Sequence, residues 1–230
     1  MSLLSFPKKP QAVLAMLERE CFQLNVPAKT SFYDIAKRIL DVAIAAILLI
    51  LLSPLLLLTS VLVKLTSPGP VIFHQVRAGL RGEPFIMYKF RTMRDGAEED
   101  LALVKDLNEK NGPIFKIVND PRLTRLGRFL RRSSMDELPQ LFNVLRGEMS
   151  LVGPRPIVRD EVGRYGKSIE FYYAAKPGLT GLWQVSGRTD TSYERRIGLD
   201  VWYVRNWTPW HDIAILLRTI PVVFLQRGAH

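Results

Sequence analysis

Cysteine is almost missing from this chain. Cys21 is the only one in 230 residues, so no intrachain disulfide forms and no thiolate metal site can be assembled. That fits a reducing compartment or a membrane face exposed to one. Histidine is scarce as well: His74, His211 and His230 are scattered without metal-ligand spacing, which argues against zinc. The sequence has no Walker loop, no dinucleotide-binding glycine fingerprint and no nucleic-acid-binding motif. Between Val42 and Val63 charge is absent altogether. Carboxylates are missing from another stretch, where Arg122, Arg125, Arg128, Arg131 and Arg132 follow one another without an acid between them. The formal net charge of +10 points to an anionic partner: nucleic acid, anionic lipid or a phosphorylated substrate.

The uncharged run has the length of a helix that crosses hydrocarbon. It is too long and lies too far into the chain for a secretory signal, and no small-residue cleavage site follows. Ser53-Pro54 interrupts its middle, where proline removes a backbone hydrogen bond. Both flanks are basic, with Lys37 and Arg38 before and Lys64, Arg77 and Arg81 after. The positive-inside rule then gives a simple crossing no direction, but it is satisfied if both ends lie on the cytoplasmic side. A kinked crossing helix and a re-entrant helix broken at Pro54 both stay open. Asp41, at the edge of the run, is expected to pair with Lys37 or Arg38 one turn away.

Three segments follow. Residues 1–30 form a leader with Val13, Met16, Leu17 and Cys21 at helical spacing, read as an amphipathic surface helix or an ordinary packing helix. Residues 31–66 hold the membrane helix, and residues 67–230 form the soluble body. Ser67-Pro-Gly-Pro70 closes the membrane segment as a turn. Val71–Val76 and Pro84–Phe90 read as strands of a hairpin around Gly79 and Gly82. Residues 95–112 are charged, lack aromatics and read as a solvated helix and loop. A helix is expected over Asp120–Arg132, with Leu123, Leu126, Phe129 and Leu130 on its core face and arginines on the other. A second helix buries Leu138, Leu141, Phe142 and Leu145 and stops at Gly147. Trp202, Tyr203, Trp207 and Trp210 suit an interfacial belt or an aromatic core. The apolar segment from Ile213 to Leu225 is too short to cross and reads as a helix lying on the membrane or on the domain. The fold class is α+β: a mostly helical, small, membrane-associated domain with a short β-hairpin.

Asp136 and Glu137 stand directly behind the arginines. Two adjacent acids in a cationic setting suggest chemistry on a polyanion, with guanidinium groups gripping phosphates while a carboxylate attacks phosphorus or holds a metal. The plainer reading is a helix cap, because Ser134 and Glu137 have capping-box spacing. With Ser134 or Asp136 as N-cap, both acids sit at a helix N-terminus, which is expected to lower a carboxylate pKa and keep it ionised. Ser150-Leu-Val-Gly-Pro-Arg-Pro156 reads as a rigid turn presenting Arg155. The glycine-punctuated stretch Lys176–Arg188 presents Gln184, Ser186 and Arg188 to solvent. Together these supply the cations, amides and carboxylates of a phosphate-handling site.

Lys37-Arg-Ile-Leu-Asp41, the Ser53-Pro54 break, Gly69-Pro-Val-Ile-Phe-His-Gln-Val-Arg77, Tyr88-Lys-Phe-Arg-Thr-Met93, Met135-Asp-Glu-Leu-Pro-Gln-Leu-Phe-Asn-Val-Leu145, Met149-Ser-Leu-Val-Gly-Pro-Arg-Pro156 and Lys176-Pro-Gly-Leu-Thr-Gly-Leu-Trp-Gln-Val-Ser-Gly-Arg188 follow in order. This succession, over about residues 33 to 227, resembles the monotopic phosphoglycosyl transferases, the bacterial sugar transferase family. The C-terminal run Trp202-Tyr-Val-Arg-Asn-Trp-Thr-Pro-Trp210 resembles most the branch acting on galactose and undecaprenyl phosphate. The resemblance implies transfer of a hexose 1-phosphate (galactose or glucose favoured) from a UDP-sugar to polyprenyl phosphate. The expected place is the cytoplasmic face of the bacterial inner membrane, and surface glycan assembly begins there. It implies Asp136 as nucleophile, with a phosphosugar-aspartyl intermediate and loss of UMP. Glu137 would hold Mg2+ with Asp136 or handle the acceptor's proton, and the membrane helix would re-enter. Charge and motif position add Lys89, Arg91, Arg132, Arg155, Gln184 and Arg188 as substrate contacts, each of which could instead hold the fold or bind lipid headgroups. The competing reading is a membrane-tethered basic domain that binds nucleic acid or anionic lipid without chemistry. The acid pair counts against it by repelling such partners.

Overall fold

The computed structural model of the protein describes residues 31–97, 100, 117, 120–187 and 192–224. The leader over residues 1–30 and Arg188 lie outside the described residues, as does most of the charged stretch over 95–112. The fold mixes helix and strand. Helix α1 (Ser31–Thr66) leads through a turn into β1 (Ile72–Ala78), which pairs with antiparallel β2 (Pro84–Phe90). Helix α2 (Arg125–Arg132), a 3-10 turn (Met135–Glu137) and α3 (Gln140–Arg146) follow. Strand β3 (Ser150–Val152) comes next, then α4 (Arg159–Tyr165), α5 (Ile169–Tyr173) and β4 (Gly178–Thr180), which pairs parallel with β3. A short α6 (Leu182–Val185), then α7 (Tyr193–Arg205) and α8 (Pro209–Phe224), complete the described chain.

The hairpin forms as its residues foretell, with a tight turn in which Arg81 and Gly82 take φ of 57° and 78°. The parallel pair β3–β4 was not foreseen. Each strand is three residues long, so neither shows an alternating pattern, and both had been read as loops.

Helix α1 is long and apolar enough to cross a bilayer. Its halves are attached to the same body by different chemistry. In the N-terminal half, Lys37 donates to the Val152 carbonyl at 3.1 Å and pairs with Asp212 of α8. Arg38 caps the carbonyls of Val144 and Leu145 at the C-terminal end of α3. Asp41 accepts from the Leu151 amide at 3.0 Å. The expected pairing of Asp41 with Lys37 or Arg38 is therefore replaced by distant partners, because the helix packs on β3 and leaves no solvent route for a local pair. The C-terminal half is held by apolar contact: Val63, Phe90 and Leu130 are buried together, flanked by Leu56, Leu126 and Met135. Between them Ile50 and Leu51 are 73% and 69% exposed, Pro54 is exposed, and the Ser53 hydroxyl donates to the Ile50 carbonyl.

Two helix expectations need correction. The helix expected from Asp120 starts at Arg125, capped by Thr124, whose hydroxyl accepts from the Gly127 amide. Asp120 and Arg122 instead close on each other as a buried ion pair at 2.7 Å, which holds the preceding residues in a turn. Gly127 lies so close to the Thr92 carbonyl that an added Cβ would fall 1.8 Å from its oxygen, and this contact seats α2 on the end of β2. The second correction concerns burial. Leu130 and Leu141 are buried as foreseen, but Phe129 and Phe142 are 56% and 50% exposed. Each helix is only two turns long, so its buried stripe is one or two residues wide.

Candidate active site

The acid pair does not cap a helix. Ser134 takes a left-handed backbone conformation, φ 57°, with no side-chain cap bond, so the capping box does not form. Met135–Glu137 make a single 3-10 turn, and α3 proper starts only at Gln140, after Pro139. Proline fits there because the 3-10 turn leaves its position without a required N–H. Asp136 is 7% exposed. Burial pushes its pKa up to about 6; Glu137 adds to the rise, while Lys89 and Arg131 oppose it. The expectation of a lowered pKa is overturned, because desolvation outweighs the field of one short turn.

Glu137 faces outward into a cleft, where its Oε1 accepts from Lys89 Nζ at 2.7 Å. The cleft is lined by two groups of side chains. Lys89 and Met87 of β2 join Glu137 and Gln140 in the first. Arg77 of β1, Arg155 and Pro156 after β3, Leu179 of β4 and Gln184 of α6 form the second. Lys89, Glu137, Arg155 and Gln184 thus line one cleft, whereas Asp136, next to Glu137 in the chain, is buried and is not among the lining residues. The chain does not bring Arg91 or Arg132 there. Arg91 is buried and donates to the Pro68 and Ser67 carbonyls at 2.6 and 2.7 Å, pinning the turn that ends α1. Arg132 is exposed at the end of α2. Lys37, Arg38 and Asp41 tie α1 down, as described above, away from the cleft lining.

Arg77 and Gln140 line the cleft but had not been singled out as substrate contacts. In the sequence Arg77 reads as a flank charge of the membrane helix and as the end of the motif that starts at Gly69. Its Nη1 donates to the Pro156 carbonyl at 3.0 Å, and its buried Nε has no partner among the described residues. Burial, and Arg155 beside it, push its pKa down to about 10, which leaves it charged at neutral pH. Its position in an alternating strand was the available signal.

Behind the cationic group lies a buried ionic network that no motif announced. Arg155 and Arg196 both lie against the Trp183 ring, 5.1 and 5.2 Å from its centroid. Arg196, 2% exposed, bonds Glu161 at 3.2 Å, and Tyr193 donates to the same carboxylate at 3.1 Å. Asp200 accepts from the Tyr165 hydroxyl at 3.0 Å and from the Arg155 backbone N–H. Burial pushes its pKa up to about 6 against the pull of Arg196. The Arg155 backbone is therefore fixed from within while its guanidinium remains beside the cleft.

One carboxylate, three cations and two amides with unpartnered atoms around one cleft have the composition of a phosphate-handling site. Known proteins agree with that class. The family model for bacterial sugar transferases matches residues 32–226. The undecaprenyl-phosphate galactose phosphotransferase of Salmonella typhimurium is 49% identical over 217 residues, covering 90% of this chain and 44% of that protein. The UDP-glucose:undecaprenyl-phosphate glucose-1-phosphate transferase of Caulobacter vibrioides is 45% identical, covering 86% of this chain and 73% of the relative. The exopolysaccharide production protein ExoY of Rhizobium meliloti is 47% identical, covering 85% and 88%. This chain belongs to the bacterial sugar transferase family. It spans less than half the length of the Salmonella relative.

Proposed function

We propose that this chain transfers a hexose 1-phosphate, galactose or glucose, from a UDP-sugar to polyprenyl phosphate through a covalent intermediate on Asp136. The observation that carries this reading is the cleft itself. There Glu137, paired with Lys89 and next in the chain to the desolvated Asp136, shares one lining with Arg77 and Arg155. A carboxylate with a pKa near 6 is largely ionised at pH 7.5 and more nucleophilic than an ordinary aspartate. Its oxygen bonds the sugar-bearing phosphorus while the bond from that phosphorus to the nucleotide phosphate breaks, its electron pair leaving on UMP. An oxygen of the lipid phosphate then attacks the same phosphorus and frees Asp136. Lys89 balances Glu137, and the arginines hold the diphosphate charge.

Among the described residues no three His, Cys, Asp or Glu side chains cluster as a self-sufficient metal site. Asp136 and Glu137 nevertheless fit Mg2+, which takes one or two carboxylates and completes its shell with substrate phosphates and water. Bound there, the ion would neutralise phosphoryl oxygens.

We assign α1 to the membrane as a re-entrant helix with both ends on the cytoplasmic face of the bacterial inner membrane. Both of its halves touch one body, while the exposed leucines and isoleucines around Pro54 lie between. The exposed Trp210, Ile213, Leu217 and Ile220 of α8 suit the interface beside it. The acceptor's phosphate would then reach the cleft from the same leaflet.

The test is UMP release by the purified full chain in detergent or nanodiscs, with Mg2+, polyprenyl phosphate and a panel of UDP-sugars. Catalytic release with UDP-galactose or UDP-glucose is expected, together with sugar phosphate trapped on the protein when acceptor is withheld. Release only when acceptor is present would replace the covalent route by direct transfer.

A further inference from the structure

Gln140 opens α3 four residues beyond Asp136, after the 3-10 turn and Pro139, and is 2% exposed. Its Nε2 has no hydrogen-bond partner among the described residues, although the residue lines the cleft beside Glu137 and Lys89. A buried amide left unpaired is destabilising, and native folds seldom keep one without a use. The next buried amide on the helix shows what a structural role looks like. Asn143 donates to the Ile86 carbonyl and to Glu148, each at 2.7 Å, and accepts from the Tyr88 amide at 3.1 Å. Asn143 is spent on joining α3 to the hairpin. Gln140, three residues earlier, keeps its donor free.

We propose that Gln140 is a catalytic residue, whose Nε2–H donates to a non-bridging oxygen of the phosphoryl group under attack by Asp136. The inference rests on the transfer reading given above. As the aspartate oxygen bonds phosphorus and the electron pair of the breaking bond leaves on UMP, negative charge is carried by the non-bridging oxygens. A donor fixed before reaction stabilises that charge without reorganising. Neutrality matters at this position. A lysine or arginine four residues from Asp136 would pair with the nucleophile and weaken it, whereas an amide donates to phosphate and leaves the carboxylate free.

The test is Gln140→Met, which keeps length and removes the donor, assayed for UMP release beside wild type and Asp136→Asn. The expected result is a fall in kcat of about 100-fold with KM held within about threefold. The thermal midpoint should equal or exceed that of wild type, because an apolar group replaces an orphaned amide. Gln140→Glu should lose more, since it sets an anion against the phosphate. Two results overturn the inference: a Gln140→Met enzyme whose kcat stays within about threefold of wild type, or one whose midpoint drops by several degrees, which marks a packing role. Failure of the transfer reading looks different. Wild-type enzyme that releases no UMP from any UDP-sugar removes that reading, and this inference falls with it.

Discussion

Lys89, Asp136, Glu137 and Gln140 come from two pieces of backbone, the end of β2 and the run from the 3-10 turn into α3. Arg77, Arg155 and Gln184, across the same cleft, come from three further segments and stand over Trp183, Arg196, Glu161 and Asp200. The first group is placed by local geometry and supported by few polar contacts: one ion pair, one desolvated acid and one idle amide. The second is placed by tertiary structure and held by buried charges that bond each other. Both groups keep unpartnered buried atoms among the described residues, Gln140 Nε2 in the first and Arg77 Nε, Gln184 Oε1 and Arg196 Nε in the second; what separates them is that buried charges bond each other only behind the second. The difference suits their tasks, since a nucleophile must change partners during turnover and a phosphate clamp must not.

Asp136→Asn should break the comparison most completely, lowering UMP release by at least about 10³-fold without altering extraction of the protein from membranes. The same change should stabilise the fold near neutral pH. Asp136 has a folded pKa of about 6, above its ordinary value of 3.8, so the folded state holds the proton more tightly. Stability from that proton is present at low pH and is lost as pH rises between those two values. The asparagine variant should therefore melt several degrees higher than wild type at pH 7.5, and the gap should close near pH 4, by thermal scans.

Arg196→Met attacks the other group at its support. Removing Arg196 leaves buried Glu161 with the more distant Arg77, at 3.8 Å, as its remaining cationic partner, and should cost about 3 kcal/mol, read as a drop of about 6–12 °C in midpoint. Arg155→Ala should leave the midpoint nearly unchanged and raise KM for the UDP-sugar about tenfold, with Arg132→Ala, remote from the cleft, within about twofold of wild type. The mildest effect is that of pH. The rate of intermediate formation should fall to about half as pH drops to about 6, where Asp136 takes up its proton. A rate independent of pH from 5 to 8 would remove Asp136 as the titrating nucleophile.

Much of the first group was legible in sequence because its signals are local. The hairpin alternates and the acids are adjacent; in the second group the Pro-Arg-Pro turn announces Arg155 in the same local way. The state of Asp136 was misread for the same reason. Capping spacing is a local pattern, while the burial that sets its pKa comes from packing of the turn against the rest of the body. Arg91 fits the motif company of a substrate contact, yet it closes the Ser67-Pro68 turn, a role visible only when the end of α1 is folded back beside β2. Glu161, Arg196 and Asp200 carried no signal at all. Each is an ordinary charge on a helix until α4 and α7 are brought together.

The attachment of α1 also sets a timetable. Lys37 and Asp41 are made early, yet their partners lie far downstream, Asp212 by 175 residues and Leu151 by 110. At about 5–20 residues per second, synthesis separates Lys37 from Asp212 by roughly 10–35 s. For that interval the Lys37–Asp212 pair is missing, although Arg38 and Asp41 can meet α3 and β3 as soon as those are made, and the Lys37 ammonium must be kept in water or among lipid headgroups. The Lys37–Asp212 pair closes only after α8 is made, so α1 is fastened in stages, first by α3 and β3 and last by α8.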